Sequence, residues 1–332
     1  MGCDIINYQF SFTSDEYIMD SFEFESGRVL ENVRVEYSTT GTPKYDDEGN
    51  ITNLVVFCST FNGGHSVLVG YNNLIDKYGL DENEYFFVKI VSLGNPNSCS
   101  PSETGLKYNF PPYTFYDRVN FKRQFLKERF NATNVLGLVG EGLGGFEIFT
   151  WAAEYPEDME FIIVFNSFYK ISSYRYVFVK CIESIIDSSE DFYSEGYSAS
   201  LSKLSVAIFQ LMFVDYIPKK IFKDLSNDEI DVLMEDYVDE GLFMDIHDFK
   251  FRNDSILKFD IESKLQNIKA KSLFLITSDY LLSSPEDLAS LENLIEDSKI
   301  LVYDSEIERY SYEKVNPEIG LELMSFLEQF KK

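Results

Sequence analysis

The sequence predicts an α/β fold: a mostly parallel sheet with helices on both faces and a helical segment inserted late in the chain. Three observations predict it. Strand-like and helix-like segments interleave as far as about Ser167, the alternation that builds parallel sheets through helical crossovers. Residues 171–254 then carry Tyr-, Phe- and Leu-rich helical patterns, such as 201–214, and few strand signals. With 332 residues, 45% of them hydrophobic and 16% aromatic, the chain can bury one large core together with an inserted cap, and disorder is not expected. The expected parts are a first core portion at 1–170, a helical cap at 171–254 and a last core portion at 255–332.

The central element is the most specific. Val135, Leu136, Gly137, Leu138 and Val139 read as a short buried strand that leads into Gly140, and residues 146–153 read as a helix. Between them, Gly140, Glu141, Gly142, Leu143 and Gly144 fill the frame of a G-x-S-x-G turn, with Gly142 where the serine should stand. In that pattern small residues let the chain turn tightly, and the central residue is held on a strained backbone so that its oxygen meets substrate. The cluster lacks the Lys-Ser/Thr of a Walker loop and the clean G-x-G-x-x-G spacing of a dinucleotide site. These residues alone fit either a degenerate nucleophile elbow or an ordinary strand-to-helix turn.

The surrounding pieces resemble, in order, the homoserine O-acetyltransferase family of α/β-hydrolases. Residues 24–27 and 33–41 look like its opening hairpin, and 54–65, ending in Phe61-Asn62-Gly63-Gly64-His65, stand where that family has a strand and half of its oxyanion hole. Residues 85–90 and 92–102 resemble its strand ending in Leu-Gly and a Ser-Ser-Pro-Ser loop. Residues 110–117 match Phe-Pro-x-x-Thr-x-x-Asp before the helix that leads to the elbow. Residues 182–197 and 256–260 resemble the way into and out of the cap, 272–279 a late strand, and 317–330 a closing helix.

The resemblance implies a triad that this chain does not complete. Asp279, after the late strand, matches the acid that orients the catalytic histidine. Aligning 302–305 with the last strand and Tyr312 with the family's aromatic puts Arg309 at the histidine position, and no histidine follows His247. With Gly142 at the nucleophile position, both the oxygen and the base are absent. Losing such a unit lowers turnover by about a million-fold. Arg309 either pairs with Asp279 or points into water. Glycine also relaxes a turn that costs an active enzyme about 1–3 kcal/mol of strain. The oxyanion hole is made of backbone N–H groups, at Thr60 and Leu143 by position, and so survives side-chain replacement as an anion-binding spot.

Other candidates read more plainly. His65 stands in the Gly-rich loop beside the oxyanion hole, within reach of a pocket, yet reads better as a loop histidine without catalytic duty. His247 lies in an acidic helical stretch of the cap. Two histidines among scattered carboxylates make no zinc motif, so no metal is expected, and no cofactor. Glu141 suits a structural role better than general-base work. Cys58, Cys99 and Cys181 read as buried apolar thiols.

Composition narrows the partners. A net charge of −27 and pI near 4.4 argue against nucleic acid and anionic membrane surfaces. Four cysteines without regular spacing suggest a reducing compartment, and there is no signal pattern, myristoylation site or apolar run of spanning length, so cytoplasm is the expectation. The family resemblance implies a homodimer through the cap helices, for which the stripe Leu201, Leu204, Ile208, Leu211 and Met212 is a candidate; the plainer alternative is that it packs on the core. Two functions remain. One is a pseudoenzyme that binds a small acyl or amino-acid-like ligand or a protein partner. The alternative is an active acyltransferase or hydrolase, taking acetyl-CoA and a homoserine-like substrate through a non-standard nucleophile.

Overall fold

The computed structural model describes residues 12–58, 80–194, 198–216, 222–223, 225–278, 285–303 and 317–331. The chain starts with a hairpin of β1 (Thr13–Glu23) and β2 (Val29–Thr40), paired antiparallel. β1 lies at the sheet edge and turns most of its residues to solvent, burying Met19 and Phe22. β3 (Leu54–Cys58), β4 (Phe86–Ile90) and β5 (Val135–Glu141) are buried at every position, the pattern of strands covered on both faces. β6 (Met159–Phe165), β7 (Lys271–Thr277) and β8 (Ser298–Tyr303) complete a sheet ordered β1-β2-β4-β3-β5-β6-β7-β8. From β4 to β8 every pairing is parallel. This is the expected α/β-hydrolase fold. β8 holds Val302 and Tyr303 of the stretch expected to align with the last strand, and 304–305 lie outside the described residues.

Alternate residues of β3 feed two cores, to which β5 also contributes. Leu54, Val56, Cys58 and Leu138 face the side packed by α1 (Phe115–Phe130) and α2 (Leu143–Glu154). Val55, Phe57, Leu136 and Val139 face the other side, which α8 (Pro317–Leu327) covers with Leu323, Phe326 and Leu327. Among the described residues, four longer helices lie between β6 and β7, α3 (Ser173–Asp187), α4 (Ala199–Tyr216), α5 (Asn227–Leu242) and α6 (Ile246–Leu257), and the short α7 (Leu291–Leu294) lies between β7 and β8. In the stripe on α4, Leu201, Ile208 and Met212 are buried against Ile182, Ile186, Phe192, Ile246 and Phe249, so a single chain already covers them. Among the described residues no helix is long and apolar enough to cross a membrane.

The Thr-x-x-Asp motif before α1 has a local cause. Thr114 Oγ1 accepts from Asp117 N–H at 3.2 Å, and Asp117 Oδ2 accepts from Thr114 N–H at 2.9 Å, a capping box. The other Asp117 oxygen accepts from Glu25 N–H at 2.7 Å, tying the hairpin turn to the helix start.

α1 is joined to α2 by a buried ion triad. Glu147 meets Arg118 Nε at 2.6 Å and Lys122 Nζ at 2.7 Å, and all three side chains have zero exposure. Burial alone would raise the Glu147 carboxyl, but the Lys122 and Arg118 charges outweigh it and hold the group below its ordinary range. A second polar contact joins α6 to the core. Asp248 accepts from Ser102 N–H at 2.9 Å, Ser102 Oγ at 2.5 Å and Ser100 Oγ at 3.4 Å. Burial pushes its carboxyl up to about 6 despite those donors.

Two stability experiments follow. Glu147→Ala leaves two buried cations without their carboxylate and should cost about 3–5 kcal/mol in urea unfolding, whereas replacing Arg118, Lys122 and Glu147 together by Met should lose much less. For Asp248, the folded-state value lies above the unfolded one, so its stabilising effect is full below about 4 and disappears as pH rises through about 6. Wild-type stability relative to Asp248→Asn should therefore fall by up to about 3 kcal/mol between pH 4 and 7. A pH-independent difference between the two would contradict this.

Candidate functional site

The site forms where β5, at the centre of the sheet, ends and α2 begins. β5 pairs with β3 through Cys58 and Gly140, and with β6 through Glu141 and Phe165, so three strand ends meet at one point. Ligand sites of open α/β sheets lie at such carboxyl ends. Gly142 is the hinge, with φ +54° and ψ −116°, a conformation that side-chain-bearing residues adopt only under strain. Its N–H donates to Phe165 O at 3.2 Å, and its carbonyl accepts from Ser167 Oγ at 2.7 Å and from Gly145 N–H at 3.1 Å.

Space divides the glycines of this turn into two kinds. A Cβ on Gly140 would stand 2.8 Å from the Cys58 carbonyl oxygen, and one on Gly145 would stand 2.3 Å from Ser167 Oγ, so both are needed for close approach. A Cβ on Gly142 would meet none of the described residues within 4 Å. The tip of the turn is therefore uncrowded by any described residue, and it carries no side chain. Leu143 is the first residue of α2, and its N–H belongs to the group at a helix start that the helix itself leaves unpaired. Thr60, His65, Asp279 and Arg309 lie outside the described residues.

Two supporting networks escaped the sequence reading. Asn166, at φ +41° just after β6, receives the Thr277 N–H on its Oδ1 at 2.9 Å and extends its Nδ2 to Glu141 Oε1 at 3.3 Å. This links the end of β5 to the end of β7, two residues before Asp279. Glu141 is buried and engaged with Asn166. The second is the ion triad beneath α2. A signal for it existed: Glu147 interrupts an otherwise apolar helical run, and Arg118 and Lys122 stand four residues apart on the preceding helix.

The thiols differ from one another. Cys58, at the end of β3, and Cys99 are buried, and burial pushes each up to about 12, so both stay protonated and weakly nucleophilic near neutral pH. Cys181 is exposed on α3, against the expectation of a buried thiol, because the helix turns that position to solvent. His247 is buried within the cap, with Nδ1 2.9 Å from Asp245 Oδ1 and Nε2 3.1 Å from Phe192 O. Among the described residues no three His, Cys, Asp or Glu are grouped to hold a metal ion.

No family model matches the chain. A probable acyltransferase of Methanothermobacter thermautotrophicus is 35% identical over 289 residues, covering 87% of this chain and 89% of that protein. A homoserine O-succinyltransferase of Hahella chejuensis is 26% identical over 298 residues, 83% of this chain and 74% of that protein. Among solved structures, an acetylester hydrolase from Corynebacterium glutamicum has a TM-score of 0.81 at 19% identity, covering 95% of this chain and 96% of that one, a likeness of fold. With a probable acyltransferase this similar along most of both sequences, and with its strands, elbow and helices in the order described, the chain belongs to that acyltransferase's family, built on an α/β-hydrolase fold.

Proposed function

We propose that the chain is a catalytically degenerate member of this family that binds a small acyl or amino-acid-like ligand, or a protein partner, at the turn around Gly142. The observation that carries this reading is Gly142 itself: the elbow's backbone geometry is kept while the hydroxyl that would attack substrate is absent. A serine there needs a neighbouring base, and Arg309 occupies the aligned histidine position. Backbone donors do not depend on side chains. The Leu143 N–H, with Thr60 by alignment, would polarise or hold a carboxylate or acyl carbonyl without attacking it.

Asp279 is the retained acid of the reading. With no imidazole to orient, it would serve ligand binding or pair with Arg309 rather than support proton transfer. A homodimer through the cap belongs to the same proposal, drawn from the resemblance, and the exposed Tyr174, Val177, Val232 and Phe243 offer apolar surface there.

The second reading, an active acyltransferase or hydrolase with another nucleophile, is favoured by the acyltransferase relative at 35% identity. Cys58 gives it little support, since its thiol is buried and held protonated.

Turnover of an activated acyl ester, and of acetyl-CoA with homoserine, decides between the two readings, with intact-mass detection of any acyl adduct. The wild type should show no adduct and a rate equal to that of Asp279→Asn. Turnover above background that falls in Asp279→Asn would overturn the proposal. Gly142→Ser should fold, because its Cβ meets none of the described residues within 4 Å, at a cost of about 1–3 kcal/mol in backbone strain. Paired with Arg309→His, it should acquire an acyl adduct from the activated ester that neither single variant forms.

A further inference from the structure

Against the elbow helix lies a group of buried donors that the chain's own acceptors leave unmatched. Arg118 and Lys122 share one carboxylate, so the triad carries an excess positive charge at zero exposure. Arg118 spends Nε on Glu147, and Nη2 reaches Asn95 Oδ1 at 3.4 Å, but Nη1 meets no acceptor. Asn95 is fully buried; its carbonyl faces Arg118 and its Nδ2 amide is unpartnered. Tyr113 is 4% exposed, and its hydroxyl is unpartnered as well.

These three groups are neighbours. The Tyr113 hydroxyl packs on the backbone of Gly94, where an added Cβ would stand 2.0 Å from it. Asn95 follows directly in the chain and touches Arg118. The Arg118 charge acts on the Tyr113 hydroxyl, which burial pushes up to about 12 and so keeps as an O–H donor. Other charges also act there, Arg252 of one sign and Asp248 and Asp254 of the other.

We propose that Arg118 Nη1, Asn95 Nδ2 and the Tyr113 hydroxyl form a buried binding site for a small monovalent anion of the halide class. The donor set selects the ligand. A water molecule could give one hydrogen to the Tyr113 oxygen, but its other hydrogen would face the Arg118 and Asn95 donors, and it would leave the excess charge in place. A halide accepts from all three and neutralises the buried cation. Zero exposure at Arg118 and Asn95 excludes a bulky carboxylate or phosphate ester. The anion would act as a structural ligand that holds the 92–102 loop against α1 and, through Glu147, against the helix of the elbow.

The test is thermal unfolding of the whole chain in sodium chloride, sodium bromide or sodium gluconate at equal ionic strength. Gluconate is too large for the site. The wild-type midpoint should rise saturably with chloride and bromide, by about 2 °C or more over gluconate. Tyr113→Phe should weaken that dependence. Asn95→Asp supplies a built-in negative charge and should raise the midpoint in gluconate while abolishing the halide effect. Crystals soaked in bromide should show an anomalous peak within hydrogen-bond distance of the three donors. Equal midpoints in chloride and gluconate, or a water without an anomalous peak at that position, would overturn the proposal.

Discussion

Glu147 is a carboxylate kept entirely from water, and the elbow depends on it. The residue sits on α2 little more than one turn after Gly142, and its two bonds hold that helix to Arg118 and Lys122 of α1. A buried ion group contributes little net stability against an apolar equivalent, but removing one partner strands charge in a medium that cannot solvate it. The triad thus specifies one placement of α2 rather than many. Phe146 adds to this from the neighbouring position by stacking on Phe259 at 4.2 Å, which joins the same helix to the segment following α6. The first turn of α2 is where Gly142, Leu143 and Gly145 present their backbone to the site.

Around that helix the molecule separates scaffold from reaction. Gly140 and Gly145 remain because backbone and side chains crowd them, and the Asn166 bridge still ties β5 to β7. No described residue crowds the tip at Gly142. A scaffold held by close contacts cannot drift without unfolding, whereas a side chain projecting into open space can be lost with no packing penalty. The geometry of an acyl-transfer fold is therefore compatible with a tip that has no nucleophile. The relatives, named as acyltransferases, share the scaffold, and the scaffold alone does not carry their chemistry.

The cap shows how far pattern reading extends. The stripe on α4 was visible from its spacing, but spacing gives a face and not its partner. Within one chain Ile208 and Met212 are buried by α3 and α6 rather than left for a second copy. Exposure of Cys181 had the same origin, since a residue's side of a helix is set by what packs on that helix.

The sequence by itself determined the order of strands and helices, the α/β class, the elbow with Gly142 at its tip, and the Thr114 and Asp117 cap of α1. Each of these depends on residues within a few positions of one another, where periodicity, capping chemistry and glycine's freedom act directly. Only the tertiary structure decided that Glu147 meets Arg118 and Lys122, that Asn166 bridges Glu141 and Thr277, and that Asp248 of α6 binds Ser100 and Ser102. Those pairings join residues 25 to 148 positions apart. Their partners are chosen by how the layers stack, because a buried polar group takes whichever complementary group the fold brings within reach.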